Sequence, residues 1–181
     1  MGRTGAYTPQ KLVLGVLTSR PGSREEILSA AREEWGPVDY VSPLGLFTWS
    51  HYYDAEMGTP IHRFFVTFER LVDPSSLAAI KVRSNTVEER WRDGEKRTVN
   101  LDPGLLALSR FSLATTKDNA HRVALSGGIY AEITLLFRGG SYRPMDWTYP
   151  DYRSPETIGM LNDIRSRYRE QLRAASKATA P

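Results

Sequence analysis

The alternation of apolar and polar positions divides the chain into strand-sized and helix-sized pieces. Residues 11–17 (Lys-Leu-Val-Leu-Gly-Val-Leu) form a nearly continuous apolar run, as expected of a strand covered on both faces. Ile27, Leu28, Ala31 and Trp35 then recur at helical spacing, and Ser23 with Glu26 predicts a capping box before them. Gly36-Pro37 ends that helix. A short strand is expected around 38–42, followed by an extended piece near 45–49 and an ordered, aromatic-rich loop. Residues 61–71 alternate as a strand, with Phe64, Val66 and Phe68 on one face. Asp73-Pro74 supplies the cap and first residue of a helix reaching about Arg92, with the stripe Leu77, Ile80, Val87 and Trp91. After a turn at Asp93-Gly94, residues 97–101 read as a short strand.

This order, βαββαβ, predicts a ferredoxin-like first half with both helices on one face of an antiparallel sheet. Asp102-Pro103-Gly104 suggests a short turn of helix before a strand to about Thr115. An antiparallel β-meander follows, with hairpins at Gly127-Gly128 and Gly139-Gly140. Thr148-Tyr-Pro-Asp-Tyr152 is a rigid aromatic connector. Ser154-Pro155 opens a final helix carrying Ile158, Leu161, Ile164, Tyr168 and Leu172 on one stripe. The fold class is therefore α+β. Residues 1–10 are expected to be a flexible lead-in, 11–173 a single domain, and 174–181 a frayed tail.

Read as a two-residue turn, Gly127-Gly128 pairs Leu125 with Tyr130, Val123 with Glu132 and His121 with Thr134. One face then carries His121, Tyr130, Glu132 and Thr134, and the other Ile129, Ala131, Ile133 and Leu135 as core. Arg122 falls on the apolar face near the strand end. Such a polar face is either a solvated surface or a site, and the choice stays open at this stage.

Charge and composition narrow the partners. The 181 residues carry a net +3, yet residues 1–152 balance at 18 basic and 18 acidic side chains. The surplus lies in 153–181, with 6 basic against 3 acidic, so it belongs to the last helix and not to the body. No cysteine is present, which excludes disulfides, thiolate metal sites and a cysteine nucleophile. No apolar run approaches a membrane span, and the N-terminus lacks the succession of a secretory signal, so a cytoplasmic protein without membrane partners is expected.

The candidate chemistry gathers in residues 100–134. His121 with Glu132 suits general acid–base catalysis, the carboxylate orienting the imidazole. Lys117 and Arg122 can hold a small anionic ligand such as a phosphorylated one. Asn100, Asp102, Thr116, Asp118, Tyr130, Thr134, Tyr52 and Tyr53 complete the candidate binding set. Asp102, Asp118, Glu132 and His121 would be hard ligands if Mg²⁺ or Mn²⁺ takes part. A looser group, His51, Asp54, Glu56 and His62, surrounds the aromatic loop. Lys81, Asn85 and Glu88 share a helix stripe, either a solvated flank or a pocket wall. The competing class is a non-catalytic RNA-binding or protein-interaction module, using the aromatic loop 47–58 and Arg165, Arg167, Arg169, Arg173 and Lys177. Thr-Thr-Lys-Asp at 115–118 is not a guanine-reading element, because no GxxxxGK[ST] loop exists. Nor is there a GxSxG elbow.

These residues carry a resemblance. Residues 11–18, Tyr52-Tyr53 with Glu56-Met57-Gly58, Phe68-Glu69-Arg70-Leu71, 100–104, 115–118 with His121-Arg122, 128–132 and 147–152 are similar, in order, to domain-of-unknown-function family 4416. The resemblance implies a bacterial or archaeal single-domain cytosolic protein and no known activity. This chain has Leu105 where the family usually has an aromatic, and Gly127 where it usually has an acidic residue.

Overall fold

A computed structural model describes residues 2–178. It is an α+β fold with four α-helices and a large antiparallel sheet. The strands are β1 (Gln10–Thr18), β2 (Val38–Val41), β3 (Gly45–Leu46), β4 (His62–Val72), β5 (Arg92–Asp93), β6 (Lys96–Arg97), β7 (Val99–Leu106), β8 (Arg110–Thr115), β9 (Val123–Ala124), β10 (Tyr130–Arg138) and β11 (Ser141–Pro144). The helices are α1 (Arg24–Trp35), α2 (Asp54–Met57), α3 (Leu77–Glu88) and α4 (Pro155–Ala178). Strand order across the sheet is β11-β10-β8-β7-β1-β4-β2, with β3 added to β4 and β9 to β10; β5 and β6 form a separate two-stranded ribbon.

β1 lies inside the sheet between β4 and β7, and all nine of its residues are buried, as its unbroken apolar run requires. Even positions Leu12, Leu14 and Val16 join Phe64, Val66 and Phe68 of β4 beneath α1 (Ile27, Leu28, Ala31) and α3 (Leu77, Ile80, Val87). The opposite face, with Val13, Phe65, Leu106, Phe111 and Leu135, is covered by Leu161, Ile164 and Tyr168 of α4 and by Tyr152. Each such side chain contributes about 1.5–3 kcal/mol by leaving water. Two apolar layers on one sheet therefore hold helices on both sides of it.

Several local expectations are corrected. Ser23 makes no side-chain cap bond, because residues 21–23 form a 3-10 turn that satisfies the helix entry through its backbone. Asp102-Pro103-Gly104 does not start a helix. β7 runs straight through it, with Leu14 opposite Pro103. Pro103 is accommodated because β7 pairs with β8 only at residues 104–106, so its missing N–H falls outside that ladder. The Gly127-Gly128 hairpin is one residue out of the expected register. Tyr130 faces Ala124 and Ala131 faces Val123, and Leu125 N–H bonds Ile129 C=O at 2.7 Å. The turn thus spans 126–128, with φ of +66° and +73° at the two glycines, a conformation open chiefly to glycine. A bulge between Ile133 and Leu135 then exchanges the faces. Ile133 is 41% exposed and not core, while Glu132 and Thr134 are buried at 2% and 0%. The polar face is thus covered at Glu132 and Thr134. α4 runs to Ala178, and residues 179–181 of the expected tail lie outside the described ones. Among the described residues no helix is long and apolar enough to cross a membrane.

Candidate functional site

The partial pairing of β7 with β8 has a consequence for chemistry. Beyond Gly104 and Leu113 the two strands part, and residues 99–103 of β7 present an edge that β8 does not cover. α3 satisfies that edge with side chains. Leu101 N–H donates to Glu88 Oε1 (2.7 Å), and Leu101 C=O accepts from Lys81 Nζ (2.9 Å) and Ser84 Oγ (3.3 Å). Glu88 is also bonded by Arg97 Nη1 at 2.8 Å. Burial pushes the Glu88 carboxyl above its ordinary value, opposed by Lys81, the Leu101 N–H and Arg97. Lys81 reaches Asp102 Oδ1 at 3.4 Å, and Asn100 Nδ2 donates to Asp102 Oδ2 at 2.6 Å.

A cavity of about 580 Å³ occupies the opening. Five basic and six acidic side chains line it, so its total charge selects nothing. Their partners do. Lys81, Arg92 and Arg97 are engaged with carboxylates. Lys117 donates to Tyr52 Oη at 2.6 Å and lies 4.1 Å from that ring's centroid. Arg63 of β4 is different. Its guanidinium carbon is 4.6 Å from the Phe65 ring and 5.0 Å from that of Tyr152. Nη2 lies 3.1 Å from Asp151 Oδ2, an ion pair without hydrogen-bond alignment, and neither Nε nor Nη2 has a hydrogen-bond acceptor. The Tyr152 hydroxyl beside it is buried and also without a partner. Burial pushes the Tyr152 phenol far up, despite the opposing Arg63 charge, so the hydroxyl keeps its proton and remains a donor. Both groups crowd over Gly15, where a Cβ would come within 2.8 Å of Tyr152 Oη and 2.9 Å of Arg63 Nη2. A side chain at position 15 would therefore push the ends of Arg63 and Tyr152 aside.

Glu132 forms another wall. Its Oε2 accepts from Arg122 Nε (2.9 Å) and lies 3.2 Å from His121 Nε2, while Thr134 Oγ1 donates to Oε1 at 3.3 Å. The shifted register explains the first contact: it sets Arg122 across from Glu132, in place of its expected position on the apolar face. Arg122 also donates to Tyr149 Oη at 2.7 Å. His121 stacks on Trp147, with centroids 5.0 Å apart and planes at 14°.

Of the residues predicted as a site, Tyr52, Tyr53, Asn100, Asp102, Thr116, Lys117 and Glu132 line the cavity. His121, Arg122 and Thr134 stand behind Glu132 and touch it. Asp118 is exposed in the loop, and Tyr130 is half-buried opposite Thr115 and Ala124. The supposed hard ligands do not converge: among the described residues no three His, Asp or Glu side chains are close enough to hold a metal. His51 bonds only its neighbour Asp54, at 2.8 Å. In the basic helix, Arg165 donates to Leu108 C=O at 2.7 Å and lies 3.5 Å from the Phe137 ring.

Arg63, Asp151 and Tyr152 also line the cavity, outside the set predicted from sequence. Their only sequence signal is a cation on the inward face of a strand opposite Phe64 and the Tyr-Pro-Asp-Tyr connector. The stripe Lys81, Asn85 and Glu88 is a pocket wall.

The molecule is thus an α+β protein with a cleft where one antiparallel sheet divides. The chain belongs to the family described as Domain of unknown function (DUF4416), whose model matches residues 8–168. No curated protein and no solved structure matches it.

Proposed function

We propose that the cleft binds a small anionic ligand, phosphorylated or carboxylated, and that Glu132 with His121 transfers a proton on it. The observation that carries this reading is the cavity floor, where a charged guanidinium and a protonated phenol lack acceptors. A buried donor without a partner costs about 1–3 kcal/mol, and an incoming oxyanion would relieve that cost. The proton role is supported by Glu132 lining the cavity with His121 at 3.2 Å behind it. We also read the first half as ferredoxin-like. With β1, β2, β4 and β7 taken as first to fourth strands, the order is fourth, first, third, second, which supports that reading, as do α1 and α3 on one face.

The test is thermal melting against divalent metals, nucleotides and phosphorylated metabolites. A ligand at a hundredfold excess over its dissociation constant adds about 2.7 kcal/mol to stability. The expected result is a shift with phosphate-bearing compounds that disappears in Arg63→Gln, and turnover of the identified compound that disappears in His121→Ala. A shift undiminished by Arg63→Gln removes the anion site from this floor, and undiminished turnover in His121→Ala removes the proton role.

A further inference from the structure

The cleft says more about its ligand, provided that an anionic group sits at Arg63. A cavity of about 580 Å³ is large for a bare phosphate and matches sites for molecules of several hundred cubic ångströms. Its two ends differ in chemistry. The inner end holds Arg63 and the Tyr152 hydroxyl, buried donors without acceptors. The outer end is aromatic: Trp49 is 48% exposed and Tyr52 62% exposed, and Tyr52 meets Tyr53 edge-on. Lys117 holds Tyr52 in place through its ring and its hydroxyl. Trp49, by contrast, makes no ring contact or hydrogen bond among the described residues, and about half of its surface lies open where it lines the cavity.

We infer that the ligand is a planar aromatic ring bearing an anionic group, the anion seated at Arg63 and Tyr152 and the ring stacked on Trp49. Aromatic stacking tolerates many rings because each presents a π face, so the base of a nucleotide and the ring of an aryl phosphate satisfy the same site.

Calorimetric titration with four probes tests this: adenosine monophosphate, phenyl phosphate, ribose 5-phosphate and adenosine. At least one ring-bearing phosphate should bind about tenfold or more tighter than ribose 5-phosphate, as one stacked ring supplies. Trp49→Ala, an exposed substitution, should bring that probe down to the ribose 5-phosphate value, and Tyr152→Phe should bring it toward adenosine. Tight phenyl phosphate alongside adenosine monophosphate supports aryl anions in general; adenosine monophosphate alone supports nucleotides. Equal affinity of all three phosphates overturns the aromatic inference and leaves the anion reading standing. Adenosine binding as tightly as its monophosphate overturns the anion reading instead. No binding by any probe up to about 1 mM, the limit of a useful site, overturns both.

Discussion

Two buried cations on adjacent strands, Lys11 of β1 and Arg63 of β4, meet opposite fates. Lys11 is 1% exposed and its three protons find three acceptors: the Asp39 carboxylate, Phe68 C=O at 2.5 Å and Gln171 Oε1 at 3.0 Å. Asp39 is in turn bonded by Thr67 Oγ1. The network ties β1, β2, β4 and α4 together, and no donor is left over. Arg63 has one carboxylate at ion-pair distance, two nitrogens without hydrogen bonds and a cavity in front of it. A buried charge is costly unless its hydrogen-bonding capacity is filled. A filled one reads as structure, and an unfilled one beside a cavity reads as a place for something else.

The largest expected effect follows from breaking the filled network. Lys11→Ala leaves Asp39 and Phe68 C=O without their ammonium and should cost about 3–5 kcal/mol in urea unfolding. The affinity of the folded protein for adenosine monophosphate should not change. A loss under about 1 kcal/mol, the size of an exposed pair, would mean the network contributes no more than a surface ion pair.

Arg63→Gln should cost less stability, about 1–3 kcal/mol for the buried Asp151 left without its cation. Phosphate affinity should fall by about tenfold or more, as for a lost charged contact. Equal phosphate binding in both proteins would place Arg63 beside Lys11 as a purely structural cation.

The smallest effect is a pH dependence. Burial lowers the Lys11 ammonium below its ordinary 10.5, against the raising influence of Asp39. With the folded value below the unfolded one, the linked stability is present above pH 10.5 and is lost as pH falls through the lowered value. Wild type should therefore gain stability over Lys11→Met as pH rises toward 10.5. Arg63 offers no such window, because a guanidinium keeps its proton throughout. Parallel melting curves for wild type and Lys11→Met across that range would remove the burial account.

Much of this arrangement was legible in the chain. Phe64, Val66 and Phe68 alternate and share one core, and the stripe Leu77, Ile80, Val87 and Trp91 packs against it. Ser154 Oγ accepts from Thr157 N–H at 3.2 Å and starts α4 as a cap should. Part of the candidate site was legible too, since Glu132, Lys117 and Asp102 line the cleft. The missed part is instructive. Arg63 looks like any polar residue of an alternating strand, until α4 and the connector cover the face it points to.

Local pattern determined the elements because caps, turns and periodicity depend on neighbours two to four residues apart. The apolar run of β1, the capped α4 and the existence of a hairpin at Gly127-Gly128 are of that kind. Only the tertiary structure decided the hairpin's register, the bulge after Ile133 and the parting of β7 from β8 at Gly104. Those features set which side chains face one another across 10 to 90 residues of sequence, as with Arg122 and Glu132 or Arg63 and Asp151. They rest on pairing and packing energies summed over the whole sheet, which no short window of sequence contains.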